Sequence, residues 1–129
     1  MFIDSNIFLE IALKDENFKK CENFIKNLIN KKINFYTSDF IIYSCLLIIY
    51  NKSSKLNMKN FLVFINSIKI TVIKPTLKEI YGSIDIMDRY NLDFDDALVV
   101  SCMAENKIKD LVTYDKHFNK VKEINIIKP

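Results

Sequence analysis

Aspartates stand directly after two short apolar segments of the chain and at the start of a helical one. Asp4 closes Phe-Ile-Asp near the beginning, and Asp115 closes Leu-Val-Thr-Tyr-Asp near the end. Asp93, Asp95 and Asp96 lie at the start of the helix predicted to lead into the strand before Asp115. Open α/β folds place their sites at the carboxyl edge of a parallel sheet. If the two strands are neighbours, we expect these carboxylates to converge at that edge.

Such a carboxylate cluster favours a bound divalent cation. Like charges a few ångströms apart raise one another's pKa values, and a hard cation relieves that repulsion. Mg²⁺ accepts a few carboxylate oxygens and keeps several waters, which suits the hydrolysis of a phosphodiester. A structural explanation stays open for single acids, since Asp93, Asp95 or Asp96 can serve only as a helix cap, and Asp4 can cap the helix after it.

The residues that other enzyme classes require are few. One glycine, Gly82, cannot form the glycine-rich loops that bind dinucleotides or nucleotide phosphates. His117 is the only histidine, and no Gly-x-Ser-x-Gly turn precedes it, which argues against Ser-His and Cys-His catalysis. Cys21, Cys45 and Cys102 are widely spaced, so we expect reduced thiols in the core and no structural zinc site.

The composition predicts a single domain over residues 1–129. This length is common for one domain, half of the residues are apolar, and no linker or repeat interrupts them. The net charge of +3 is compatible with nucleic acid binding without requiring it. The early acid argues against a signal peptide, and the longest apolar stretch is about half of a membrane span. We therefore expect a cytoplasmic protein with no membrane partner.

Short apolar segments alternate with longer helical ones, which is typical of a parallel α/β sheet covered by helices on both faces. Strands are predicted at Met1–Asp4, Ile33–Thr37, Ile70–Ile73, Leu111–Thr113 and Ile124–Ile127. Helices are predicted at Ile7–Leu13, Phe18–Asn30, Phe40–Tyr50, Met58–Ser67, Thr76–Arg89 and Asp95–Asn106. The expected fold is a three-layer α/β/α arrangement around a central parallel sheet of about five strands.

Two of these helices carry further expectations. Phe40–Tyr50 is apolar on nearly every face, so we expect it to be deeply buried or to lie in a subunit interface, which would make the protein a homodimer. Ser38 or Asp39 is expected to cap this helix, and the Asp93 side chain is available to cap the last one.

Three motifs, in this order and spacing, resemble those of PIN domains, and particularly of the VapC-type toxin ribonucleases. They are Phe-Ile-Asp-Ser-Asn at the start, Asp-Asp-Ala at 95–97 and Leu-Val-Thr-Tyr-Asp-Lys-His-Phe at 111–118, so the resemblance covers the whole chain. It implies a PIN-like (Rossmann-like) fold with Mg²⁺ as cofactor and Mn²⁺ as a substitute. By this resemblance the metal ligands and catalytic acids are Asp4, Asp96 and Asp115. The small polar residues that would orient them or contact a phosphate are Ser5, Asn6 and Thr113.

The chain departs from the family pattern at two acids. The glutamate usual on the helix after the second strand is Ser44 here, and a second acid often found after Thr-x-Asp-x is His117. Fewer negative oxygens imply weaker metal binding. Asp95 or Glu10 could partly replace the missing charge, although a solvated side chain is the simpler explanation of either.

The resemblance implies a magnesium-dependent endoribonuclease, the toxin of a type II toxin–antitoxin pair, with RNA as substrate and a cognate antitoxin as partner. Exposed lysines could guide the RNA backbone, for example Lys52, Lys55 and Lys59. The alternative is a catalytically degenerate PIN domain that binds RNA or protein, which Ser44 and His117 favour and the three aspartates disfavour. A phosphoryl-transfer domain of receiver or haloacid-dehalogenase-like type is a third option, although its acidic motifs are missing.

Overall fold

A five-stranded parallel sheet forms the centre of the computed structural model, which describes residues 1–129. The strands are β1 (Phe2–Ile3), β2 (Tyr36–Ser38), β3 (Thr71–Ile73), β4 (Asp110–Val112) and β5 (Asn125–Ile127). Their order across the sheet is β3-β2-β1-β4-β5, and each neighbouring pair is parallel. The predicted parallel sheet is confirmed, although each observed strand is shorter than its predicted segment or shifted along it.

Six α-helices connect the strands. They are α1 (Ser5–Leu13), α2 (Phe18–Asn30), α3 (Asp39–Lys52), α4 (Lys55–Ser67), α5 (Leu77–Tyr90) and α6 (Phe94–Glu105). All six predicted helices are present. The chain builds the sheet outwards from β1 to β3 and then returns to β4 on the other side of β1. Right-handed crossovers therefore place α1 to α4 on one face and α5 with α6 on the other, which gives the predicted three layers.

Side chains near the helix starts explain where several helices begin. The Ser38 side chain accepts a hydrogen bond from the Ile41 N–H at 3.3 Å, so Ser38 caps α3 and Asp39 is its first residue. Asp93 occupies the N-cap position of α6, but its side chain makes no capping hydrogen bond, so that prediction was wrong. The position is exposed, and water can satisfy the first amides of α6.

Helix α3 is buried on one side only, which corrects the expectation of deep burial. Its buried residues recur every four positions, at Ile41, Cys45 and Ile49. The opposite side exposes large apolar side chains, Tyr43, Leu47 and Tyr50, and Leu47 is 66% exposed. An exposed apolar face of this kind is typical of a surface that contacts another protein, and the subunit interface at α3 stays a prediction.

Buried apolar residues from both helical layers and the sheet form one cluster of 26. The three cysteines belong to it, and none is paired with another. Helices α5 and α6 pack tightly at Gly82, where an added Cβ would lie 3.2 Å from Ser101 Oγ. That hydroxyl donates to the Glu79 carbonyl at 2.8 Å and ties the two helices together. None of the helices is long and apolar enough to cross a membrane.

Candidate metal centre

The pairing of β1 with β4 brings Asp4 beside Thr113. Ile3 is the register partner of Val112, and the Asp4 N–H donates to the Val112 carbonyl at 3.1 Å. The next residues along the two strands, Asp4 and Thr113, therefore meet at the carboxyl edge, and Thr113 Oγ1 donates to Asp4 Oδ2 at 2.7 Å. The chain continues from β1 and β4 towards opposite edges of the sheet, so this is the switch point where open α/β folds bind ligands.

A hydrogen-bond network fixes the Asp4 carboxylate. Asn6 Nδ2 donates to Asp4 Oδ2 at 2.6 Å and to Thr113 Oγ1 at 2.8 Å, while Asn6 Oδ1 accepts from the Tyr114 N–H at 3.1 Å. On the other oxygen, Asp4 Oδ1 accepts from the Ser5 N–H at 2.6 Å and from Ser5 Oγ at 3.3 Å. Ser5, Asn6 and Thr113 are thus positioned to orient Asp4, and their part in catalysis stays a prediction.

Burial disfavours the ionised form of Asp4. The residue is only 6% exposed, and burial raises the pKa of its carboxyl group above the usual value, while hydrogen bonds from Thr113 and Ser5 act in the opposite direction. The charge of Asp115 raises this pKa further. A cation next to Asp4 would favour its ionised form.

Two more carboxylates and the single histidine lie close together beside Asp4. Asp96 is in the first turn of α6, and Asp115 precedes a 3₁₀ helix, Lys116–Lys120, that was not predicted. The Asp115 N–H donates to Thr113 Oγ1 at 2.9 Å, so one hydroxyl contacts both Asp4 and the Asp115 backbone. Asp96, Asp115 and His117 each offer one ligand atom, and these three atoms lie within 4.8 Å of one another.

Ionisation of Asp96, like that of Asp4, is disfavoured in the folded protein. Burial is the main cause that raises the pKa of Asp96 to about 6, and the charges of Asp115, Asp95 and Asp4 add to the effect. Three neighbouring acids thus act on one carboxyl group, while His117 acts in the opposite direction. This is the electrostatic arrangement that a bound dication would relieve.

A cavity of about 40 Å³ joins Asp4 to Asp96. Its polar lining consists of Asp4, Ser5, Ser44, Asp95 and Asp96, with no lysine or arginine to neutralise the acids. Ser44, at the position where the resemblance predicts a glutamate, thus lines the cavity from α3. The Ser5 hydroxyl makes only a long hydrogen bond to Asp4 Oδ1 and can rotate away from it. This leaves one lone pair of Asp4 Oδ1 free to bind a metal, beside the hydrogen bond from the Ser5 N–H. Oxygen donors of this kind fit a hard divalent cation.

Not every residue considered from the sequence lies here. Glu10 accepts hydrogen bonds from the Asn17 N–H at 2.7 Å and from Asn17 Nδ2 at 3.2 Å, so its carboxylate holds the start of α2 instead of the acidic cavity. Asp95 does line the cavity. His117, which in the sequence replaces an acid and is a poor candidate for Ser-His or Cys-His catalysis, also lies here. The signal that could have found it as a donor is its position two residues after Asp115 in the Asp-x-His segment.

Comparison with known proteins identifies the class. The family model of the PIN domain matches residues 1–124, so the chain belongs to the PIN-domain family. The fold resembles the Mycobacterium tuberculosis toxin VapC20, which cleaves the sarcin-ricin loop, with a TM-score of 0.78 at 14% identity over 95% of each chain.

Two complexes show the same fold. VapBC2 from Rickettsia felis, bound to a promoter DNA fragment, matches with a TM-score of 0.78 at 15% identity, covering 99% of this chain and 97% of that chain. A toxin–antitoxin complex from Klebsiella pneumoniae matches with a TM-score of 0.74 at 13% identity, covering 96% and 94%. No curated protein sequence matches significantly.

Proposed function

We propose that the protein is an endoribonuclease that hydrolyses RNA phosphodiester bonds with Mg²⁺ or Mn²⁺, and that it acts as the toxin of a type II toxin–antitoxin pair. The observation that carries the proposal is the convergence of Asp4, Asp96 and Asp115 at the switch point of a PIN-domain sheet. These are also the metal-ligating and catalytic residues that we propose. The toxin assignment is supported by its structural relatives, which include VapC20 and two toxin–antitoxin complexes.

The chemistry of the site agrees with hydrolysis of a phosphodiester. When bound, a divalent cation lowers the pKa of a coordinated water and offsets the negative charge of a phosphoryl group. Thr113 and Asn6 hold Asp4 in one orientation, and Asp96 and Asp115 supply the other oxygen donors. Without a cation, the acids would repel both a phosphate and one another. A site of this charge therefore acts on RNA only with a metal bound.

Cleavage of a labelled RNA pool tests this proposal. We expect cutting with Mg²⁺ or Mn²⁺, none with EDTA, and loss of activity in Asp96→Asn at a metal concentration that saturates the wild type. Asp85→Asn, an exposed acid on α5, is the matched control and should cut like the wild type. Absence of cutting by a folded, metal-loaded wild type over varied RNA substrates would contradict the proposal.

We further propose a cytoplasmic homodimer that binds a cognate antitoxin. Large apolar side chains exposed on two helices support a protein partner: Tyr43, Leu47 and Tyr50 on α3, and Leu77, Tyr81 and Ile84 on α5. Light scattering of the purified chain tests the dimer, and Leu47→Glu and Tyr81→Glu should separately identify which helix is covered. Co-expression with the product of a neighbouring small gene tests the antitoxin, which should abolish RNA cleavage.

The second candidate is a PIN domain that has lost catalysis and binds RNA or protein. Ser44 favours it, because a neutral side chain lines the cavity where the family usually places an acid. RNA binding without cutting, under metal concentrations that raise the melting temperature, would support this candidate over the nuclease.

A further inference from the structure

The only histidine of the chain faces two of the proposed metal ligands. His117 Nδ1 lies 3.3 Å from Asp115 Oδ1 and 3.8 Å from Asp96 Oδ2. The sequence motif places His117 where related chains often carry an acid, so a nitrogen stands where an oxygen donor is usual. The residue at this position is therefore a histidine instead of an acid, but its side chain still lies beside Asp96 and Asp115.

The backbone around His117 holds its ring near the acids. The His117 N–H donates to Asp115 Oδ1 at 2.8 Å, and the neighbouring Phe118 is fully buried in the core. The 3₁₀ helix therefore has a fixed position relative to β4. The His117 side chain is 68% exposed, so its ring can turn towards a cation at little desolvation cost.

We infer that His117 is a nitrogen ligand of the cation held by Asp96 and Asp115, and that this donor makes the site prefer Mn²⁺ to Mg²⁺. The inference builds on the proposed function, because it concerns the metal of that same site. Mg²⁺ is bound through oxygen and keeps most of its waters, whereas imidazole suits first-row transition ions. Exchanging one carboxylate for an imidazole also removes a negative charge, which weakens the attraction for Mg²⁺ without a compensating bond.

The single histidine allows a direct test. In protein without a histidine tag, a directly bonded imidazole nitrogen detected by pulsed electron paramagnetic resonance of bound Mn²⁺ can come only from His117. We expect this nitrogen coupling in the wild type and its loss in His117→Ala and His117→Asp. Lys116→Ala, on the same 3₁₀ helix, is the matched control and should keep the coupling.

Dissociation constants of the same proteins measure the preference. Calorimetry with Mn²⁺, and with Mg²⁺ as competitor, should give a wild-type preference for Mn²⁺ that is about tenfold or more above that of His117→Asp, a typical effect of changing groups around a bound metal. The His117→Asp variant also restores an acid at this position, so its Mg²⁺ affinity should rise.

The outcomes separate this inference from the proposed function. Mn²⁺ binding without nitrogen coupling, or an unchanged Mn²⁺ preference in His117→Asp, would overturn the inference and leave a metal-dependent nuclease intact. No binding of Mn²⁺ or Mg²⁺ by the folded wild type would overturn both. Coupling that disappears only in the His117 variants would support the inference even for a protein that cuts none of the RNAs tried.

Discussion

Replacing Asp96 by asparagine should stabilise the metal-free protein at neutral pH, although it removes a proposed metal ligand. The pKa of Asp96 is raised from 3.8 to about 6, first by burial and then by the charges of Asp115 and Asp95. A carboxyl group whose folded-state pKa is raised binds its proton more tightly in the folded state than in the unfolded state. Stability is therefore lost as the pH rises from about 4 to about 6, and the loss is complete above that range.

The size of the effect follows from the pKa shift. A shift of about two units corresponds to roughly 3 kcal/mol. The Asp96 side chain is 20% exposed, and because solvent screens part of the interaction we expect about 1 to 2 kcal/mol. For a chain of this length that equals a rise in melting temperature of about 4 to 8 °C. At pH 4.5 the gain should fall to about one half to two thirds of its value at pH 7.5, because Asp96 is then largely protonated in the folded wild type.

Thermal unfolding in EDTA at both pH values measures this difference. Asp85→Asn removes an exposed acid outside the cluster and should change stability by less than about 0.5 kcal/mol. In saturating Mn²⁺ the order should reverse, because binding to the folded wild type adds stability that Asp96→Asn largely lacks. An Asp96→Asn variant that is neutral or destabilised at pH 7.5 in EDTA would refute the idea that the ionised Asp96 destabilises the metal-free fold.

Three further substitutions test the supports of the site. Thr113→Val removes the hydroxyl that contacts Asp4, Asn6 and the Asp115 N–H, so urea unfolding should show a loss of about 2 to 3 kcal/mol in the free energy of unfolding. The control Thr71→Val, on the exposed edge strand, should lose less than about 0.5 kcal/mol. Equal losses would contradict the role of the Thr113 hydroxyl. Phe118→Ala should cost about 3 to 5 kcal/mol and weaken Mn²⁺ binding in calorimetry, and unchanged binding by the folded variant would show that Phe118 does not fix the 3₁₀ helix. Gly82→Val should lower the free energy of unfolding by about 1 to 3 kcal/mol, because the new side chain would contact Ser101 Oγ. The control Ala104→Val, at an exposed position, should lower it by no more than about 0.7 kcal/mol in the same urea experiment. A similar loss for both variants would mean that α5 and α6 can move apart to accept the side chain.

The sequence could predict only conditionally that the aspartates meet at one edge of the sheet. Asp4 and Asp115 each follow an apolar segment, and the α/β alternation predicts that both segments are strands of one parallel sheet. That the two strands are neighbours is seen only in the structure, where Ile3 is the register partner of Val112. The choice of Asp96 over Asp95 required the family motif. Both residues line the cavity, so periodicity alone would not have separated them.

Other features depend on contacts that a sequence pattern does not contain. The apolar sequence of α3 indicates that both of its faces are covered, but it does not distinguish a face packed on the core from a face packed on another chain. Glu10 was equally ambiguous until its bonds to Asn17 were known. The Asp-x-His spacing places His117 near Asp115, but its proximity to Asp96 depends on the 3₁₀ helix, which is too short to have a periodicity of its own.

The bond between Thr113 and Asp4 joins residues 109 positions apart, and this separation has a consequence for synthesis of the chain. The ribosome makes Asp4 well before its partners, which follow β4 or lie on the 3₁₀ helix. A nascent chain that stalls or terminates before β4 carries Asp4 without Thr113, Asp115 or His117. The order of translation therefore delays completion of the acidic centre until β4 and the 3₁₀ helix after it have been made.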